Sequence, residues 1–137
     1  AGGAARAVAY AVRELGAKAC IFNRTIVKAR TIAEKYGFDY DTLGAESSAK
    51  LAKYSDIIVQ TTSKGMGRAD APNEQNDPLY FYDFDGHEML YDIVYEPEVT
   101  PVMARARDAG CKVENGLSML RYQGEAQFSL YKSVYGA

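Results

Sequence analysis

Asp56-Ile57-Ile58-Val59-Gln60 is a continuous β-branched run without polar alternation. Such a run suits a strand covered on both faces, as in a parallel sheet flanked by helices. Upstream, Ala4 to Leu15 is rich in Ala and places Ala4, Val8, Ala11, Val12 and Leu15 on one helical face, with Gly16 as the stop. Lys18 to Phe22 reads as a buried strand. Thr25 can cap a second helix, which turns Ile26, Ala29, Ala33 and Tyr36 inward and ends at Gly37. Phe38 to Tyr40 is a brief strand, and Ser47 to Tyr54 a short helix with Ala49, Leu51 and Ala52 inside.

Downstream, Met89 to Ile93 is another strand. Thr100-Pro101 opens a helix with proline at its first position and Val102, Met103, Ala106 and Ala109 as its buried stripe. Cys111 to Val113 is a last short strand, and Asn115-Gly116 turns into a helix over Ser118 to Val134. This alternation predicts a three-layer, doubly wound α/β fold with a mostly parallel sheet. Its predicted core includes Val8, Val12, Phe22, Ile32, Ile57, Val59, Leu90, Val113 and Phe128. Gly65 to Pro78 is rich in Gly, Pro, Asn and Asp and reads as a long loop beside a strand end. From Arg68 on it is either a lid or a surface connection.

The chain has 137 residues, one domain at roughly 100–200 residues per domain. With 47% hydrophobic and 25% charged residues it can form a packed core. A net charge of -2 excludes a broad electrostatic grip on nucleic acid or an anionic membrane. No apolar run approaches a membrane span, and Ala1 to Ala9 carries Arg6 and no cleavage pattern, so neither an anchor nor a leader is expected. Cys20 and Cys111 have neither metal-site nor disulfide-scaffold spacing and read as buried free thiols in a reducing cytosol. His87, the single histidine, sits in a polar stretch and reads as exposed.

The opening Ala1-Gly2-Gly3-Ala4 precedes an amphipathic helix. Glycines there let the backbone approach a pyrophosphate, and the free N–H groups of the helix start supply donors; the same residues also suit a tight turn. A dinucleotide fingerprint requires a strand before this loop. None precedes Ala1, so the first, central strand is expected to lie outside the chain, which then reads as a piece of a longer protein. After the second strand of such a fold, an acidic residue binds the ribose 2′-hydroxyl. Here Asn23-Arg24-Thr25 is followed by Lys28 with no carboxylate. That set suits the 2′-phosphate of NADP, or else a solvated basic helix start.

Ala1-Gly-Gly-Ala-Ala-Arg6, Asn23-Arg-Thr25, Gln60-Thr-Thr-Ser63 with Gly65-Met66, Tyr91-Asp-Ile-Val-Tyr95 with Thr100-Pro101, and Asn115-Gly-Leu-Ser-Met-Leu120 with Gln123 occur in that order. Together they resemble the C-terminal, NADP-binding, Rossmann-like domain of shikimate dehydrogenase, over essentially residues 1–137. The resemblance implies NADPH-dependent reduction of 3-dehydroshikimate to shikimate by a two-domain enzyme. It implies that Ala1, Gly2, Gly3 and Ala4 hold the pyrophosphate, and that Asn23, Arg24, Thr25 and Lys28 hold the 2′-phosphate side. Thr61, Thr62 and Ser63 line the cofactor cleft. Ile93, Gly116 and Met119 lie against the nicotinamide, and Tyr95 and Gln123 reach the substrate. Ile93 replaces a methionine common in the family, and Gln60 an asparagine. The family's catalytic Lys and Asp belong to the N-terminal domain, so no residue here is assigned a catalytic role, and no metal is implied.

Two other readings stand beside this one. Another NADP oxidoreductase, of quinate or glutamyl-tRNA reductase type, shares the glycine loop and Asn-Arg-Thr. A sensing module that binds the nucleotide without turnover would need neither Tyr95 nor Gln123. A fused dehydroquinate dehydratase domain is a further possibility.

Overall fold

The computed structural model describes residues 3–67, 70–94 and 96–116. Helix α1 (Gly3–Glu14) leads to strand β1 (Cys20–Asn23), helix α2 (Ile26–Tyr36) and strand β2 (Asp39–Thr42). A 3-10 turn (Ala45–Ser47) and helix α3 (Ser48–Lys53) precede strand β3 (Ile57–Gln60). After a long excursion come strand β4 (Met89–Asp92), helix α4 (Pro101–Asp108) and strand β5 (Lys112–Glu114).

Every strand pair is parallel. β1 runs beside β2, with Cys20 opposite Asp39. β4 runs between β3 and β5, with Met89 opposite both Ile57 and Lys112. Parallel neighbours need a crossover, and α2 and α4 supply it for β1–β2 and β4–β5. The strands form two sheets, of two and three strands. The break falls between β1 and β3, where the doubly wound order has its first strand. Among the described residues, β1 and β3 each pair on one side only.

Successive strand residues point to opposite faces, and β1 is covered on both. Ile21 packs with Ala5, Ala9, Ile32, Tyr36 and Phe38, a cluster built by α1 and α2. Its neighbour Phe22 packs against the larger cluster of Leu51, Leu79, Tyr82, Leu90, Val102, Met103, Ala106 and Cys111. The expected α/β layering thus holds, with helical cover on α1/α2 and α4.

The side-chain expectations hold less evenly. Ile32 and Leu90 are buried; Val8, Val12, Phe22, Val59 and Val113 are half-buried. Ile57 is 64% exposed, because it opens β3 on the unpaired side and no described element covers it. In α1 the inward residues are Ala5 and Ala9, small enough for close approach to α2, while Ala11 is exposed. Leu15 lies past the helix end and is 82% exposed. Ile26 is exposed in the first turn of α2, and Ala109 at the end of α4. Six-residue α3 turns only Leu51 inward, leaving Ala49 and Ala52 in solvent. Cys111 is buried and Cys20 half-buried, both free; burial pushes the Cys20 thiol up to about 12. The expected C-terminal helix and Phe128 lie outside the described residues.

The excursion between β3 and β4 is anchored by a buried acid. Asp77 and Leu79 are buried, and Arg105 of α4 reaches over to them. Its Nε donates to Asp77 Oδ2 at 2.8 Å, its Nη1 to the Tyr82 carbonyl at 2.5 Å, and its Nη2 to the Leu79 carbonyl. The guanidinium also lies 4.8 Å from the Phe84 ring centroid. The Asn76–Leu79 end of the loop is therefore packed core.

Removing one partner of such a pair leaves a desolvated charge behind. Arg105→Ala is expected to destabilise the fold by about 2–4 kcal/mol. Urea unfolding of wild type, Arg105→Ala and Asp77→Asn checks this, with the Arg105→Ala loss the larger, since the neutral amide needs no countercharge.

Candidate functional site

In parallel sheets the carboxyl ends of the strands face ligands. β1 ends at Asn23, whose Nδ2 donates to the Thr25 carbonyl at 3.0 Å and shapes the turn. Arg24, Thr25 and Lys28 follow, all exposed. Thr25 occupies the N-cap position of α2 in extended geometry, but its side chain makes no capping bond, contrary to expectation. No acidic residue stands in the first turn of α2. Arg24 and Lys28 enter no ion pair among the described residues. The charged group facing Arg24 is another cation, Lys64. Burial, and then the charge of Arg24, hold the Lys64 ammonium below its ordinary range. Lys64 Nζ donates to the Glu74 carbonyl at 2.7 Å. The ends of β1 and β3 are thus electrostatic neighbours across the sheet break.

At the end of β3, Gln60 is buried and its Oε1 accepts from the Thr62 backbone N–H. The longer amide therefore still forms the turn. Gln60 Nε2 donates to Asp92 Oδ1 at 3.0 Å. The resulting loop leaves Thr61 half-buried and Thr62 and Ser63 exposed. Asp92, at the end of β4, has no solvent exposure. Its Oδ1 also accepts from Val94 N at 2.9 Å, and its Oδ2 from Thr100 Oγ1 at 2.7 Å. Burial pushes the carboxyl up, and the three donors oppose that shift.

Ile93, half-buried, follows directly, and Gly116 lies against it. A Cβ on Gly116 would meet the Ile93 carbonyl oxygen at 1.8 Å, so only glycine fits this approach. Gly116 N also donates to the Val94 carbonyl at 3.2 Å. Gly3 and Ala4 open α1, exposed and half-buried respectively. The structure thus brings Gln60, Thr61, Thr62, Ser63, Ile93 and Gly116 to one edge of the three-stranded sheet, with Asn23, Arg24, Thr25 and Lys28 at the end of β1. Ala1, Gly2, Tyr95, Met119 and Gln123 lie outside the described residues.

A second polar cluster sits at the opposite, amino ends of β3 and β4, and sequence reading did not find it. His87 Nδ1 contacts Asp85 Oδ1, and its Nε2 lies 2.9 Å from Ser55 Oγ. Ser55 is buried and donates its one proton to the Ala52 carbonyl at 2.7 Å, which makes it unsuited to nucleophilic attack. With that proton committed to Ala52, the Ser55 oxygen faces His87 Nε2 as an acceptor. Buried Glu88 accepts from Tyr82 Oη at 2.6 Å, Gly86 N at 3.0 Å, Asp85 N and Cys111 Sγ. Asp85, His87 and Glu88 offer ligand atoms within 4.8 Å of one another. The Glu88 oxygens are engaged by the loop itself, so the cluster organises that loop. The only hint in the sequence was the polar run Asp85 to Glu88; Ser55 is 32 residues away.

No family model matches the chain. It is 38% identical to shikimate dehydrogenase (NADP(+)) of Methanocella arvoryzae over 98% of this chain and 49% of that protein. The shikimate 5-dehydrogenase of Thermus thermophilus, solved with NADP(H) and shikimate, is 31% identical, with a TM-score of 0.74 over 96% of this chain and 46% of that one. The enzyme of Listeria monocytogenes, solved with shikimate and NAD, is 26% identical, with a TM-score of 0.79 over 97% of this chain and 49% of that one. The chain spans about half the length of the relatives it matches.

The histidine cluster gives a pH test. The hydrogen bond to Asp85, opposed by desolvation and aided by the charges of Asp85, Glu88 and Asp56, raises the His87 pKa. A raised folded value means stabilisation that is complete below the unfolded pKa of about 6.5. It fades as pH rises through the folded value. His87→Gln is therefore expected to lower Tm more at pH 5.5 than at pH 9. Equal losses at both would assign His87 a packing role alone.

Proposed function

We propose that this chain, related to the shikimate dehydrogenases over about half their length, is the NADP-binding, Rossmann-type domain of an enzyme that reduces 3-dehydroshikimate to shikimate. The carrying observation is the end of β1. Exposed Arg24 and Lys28 stand there with no acidic residue in the first turn of α2, beside a third cation, Lys64. A ribose hydroxyl calls for a carboxylate at this place, and a 2′-phosphate for cations.

The other parts of the dinucleotide follow from the same edge. The start of α1, with Ala1 to Ala4, presents backbone donors to the pyrophosphate. Thr61, Thr62 and Ser63 line the cleft on the turn made by Gln60. Ile93, Gly116 and Met119 are the nicotinamide side of this reading, and the close Gly116–Ile93 backbone approach supports it. Tyr95 and Gln123 reach the polyol substrate. When bound, the cofactor supplies the hydride. This chain positions it, and the general acid for the carbonyl oxygen comes from a second domain. A segment of the longer protein then fills the break between β1 and β3 as the central strand. The free thiols fit a reducing cytoplasm, and among the described residues no helix is long and apolar enough to cross a membrane.

Two measurements test this reading. In the full-length protein, Arg24→Ala is expected to weaken NADPH binding by roughly 10–100-fold, because a charge-assisted bond to a phosphate is lost. NADH, which lacks that phosphate, loses much less. Lys28→Ala acts in the same direction with smaller effect, since an ammonium makes no bidentate fork. Equal losses for both cofactors would remove the 2′-phosphate assignment. Separately, the 137-residue chain alone is expected to show no NADP-linked oxidation of shikimate above background. Turnover by it would place the proton-transfer groups within this chain.

A further inference from the structure

We infer that Asp92 is a positioning residue for the cofactor: its buried carboxylate sets the loops after β3 and β4 in register with each other. This rests on the NADP reading above and names a residue that the reading does not use. The geometry is specific. One carboxylate joins three elements that end at the same edge. Its Oδ1 holds Gln60 of β3 at 3.0 Å and the Val94 N–H after β4 at 2.9 Å; its Oδ2 holds the Thr100 hydroxyl at 2.7 Å.

Each of these partners is itself bound to something further out. Gln60 passes the constraint to Thr62 N, and so to the Thr61–Ser63 loop. Val94 passes it to Gly116, which donates to the Val94 carbonyl at 3.2 Å and rests on Ile93. Thr100 passes it to α4, whose first turn it caps by accepting from Met103 N at 3.4 Å. The loop assigned to the cleft and the pair assigned to the nicotinamide therefore share one anchor. The Asp92 side chain is fully buried, and the groups it binds, Gln60, the Val94 N–H and Thr100, are none of the residues assigned to the cofactor.

A buried carboxylate that accepts three bonds has no neutral isostere with the same pattern. In Asp92→Asn the oxygen can keep Gln60 and Val94 while the amide nitrogen faces Thr100, whose hydroxyl must then accept instead of donate. The buried Thr100 proton then loses its acceptor, and the charge that drew three donors together is gone, while the side-chain volume is unchanged. The affected contacts belong to the part of the dinucleotide that NADPH and NADH share. Both cofactors should weaken together, which separates this role from that of Arg24.

The experiment is titration of NADPH and NADH into full-length wild type, Asp92→Asn, Thr100→Val and Thr100→Ser, at a temperature where circular dichroism shows each fully folded. Asp92→Asn is expected to raise both dissociation constants roughly tenfold with their ratio unchanged. Thr100→Val should do so more weakly, and Thr100→Ser, which keeps the hydroxyl, should restore wild-type binding. Should Asp92→Asn fail to fold, the Thr100 pair carries the test alone. Folded variants that bind both cofactors like wild type would reduce Asp92 to a stabilising residue and overturn the proposal. A selective loss of NADPH would overturn it too, by placing the effect at the 2′-phosphate. Wild-type protein that binds neither cofactor would overturn the NADP reading itself, and this proposal with it.

Discussion

A carboxylate removed from water must be given donors, and Asp92 receives them from a side-chain amide, a backbone N–H and a hydroxyl on three different elements. Leaving any of these groups unpaired in the interior costs about 1–3 kcal/mol. The ends of β3 and β4 and the start of α4 are therefore not free to move independently. β3 and β4 have four residues each, too short for ladder bonds alone to fix where the following loops go. The carboxylate adds the bonds that tie Gln60, Val94 and Thr100 to one point.

The same device recurs twice around the long β3–β4 excursion. Asp77 is buried and bound by Arg105, and buried Glu88 is bound by Tyr82, Gly86 and Asp85. Desolvation pushes the Glu88 carboxyl up, but its donors, the Tyr82 hydroxyl first among them, hold it below the usual range. Apolar burial between these anchors is supplied by Leu79, Tyr82 and Leu90 on Val102 and Met103. Hydrophobic contact favours compaction without direction. The ion pair and the carboxylate nests supply the direction, and so a segment without strand or helix packs in one arrangement.

The alternation of elements was legible because it depends on short-range signals. Gly16 and Gly37 stop helices at their left-handed φ of 71° and 75°, and Thr100-Pro101 starts one with a real side-chain cap. The residues proposed for the site were placed at strand ends for a related reason: they follow the strands directly in the sequence. Burial was less so. A helical wheel puts Leu15 on the stripe of α1, but it cannot see that the helix has ended by then. A β-branched run marks Ile57 as interior, yet whether its face is covered depends on a neighbour across the sheet. The buried acids were invisible, since an Asp or Glu reads as surface until its donors are known. Arg105 and Asp77 are 28 residues apart, and His87 and Ser55 are 32 apart. Sequence periodicity does not reach that far.

The two ends of the parallel strands use their polar groups in opposite ways. At the amino ends, Ser55, Asp85, His87 and Glu88 spend their hydrogen-bonding capacity on one another and on backbone. At the carboxyl ends, Asp92 is turned inward and bound by three donors, while the cations Arg24 and Lys28 after β1 are left in solvent without a countercharge among the described residues. A chain of net charge -2 thus carries a locally positive turn after β1, where Arg24 and Lys64 lie near each other. Field strength there is set by which charges lie near, not by the total. The acid that ends β4 is buried as a structural anchor, so it adds no exposed negative charge at that strand end. Buried acid and exposed cations thus divide two roles among the strand ends, one holding the loops after β3 and β4 and the other presenting positive charge after β1.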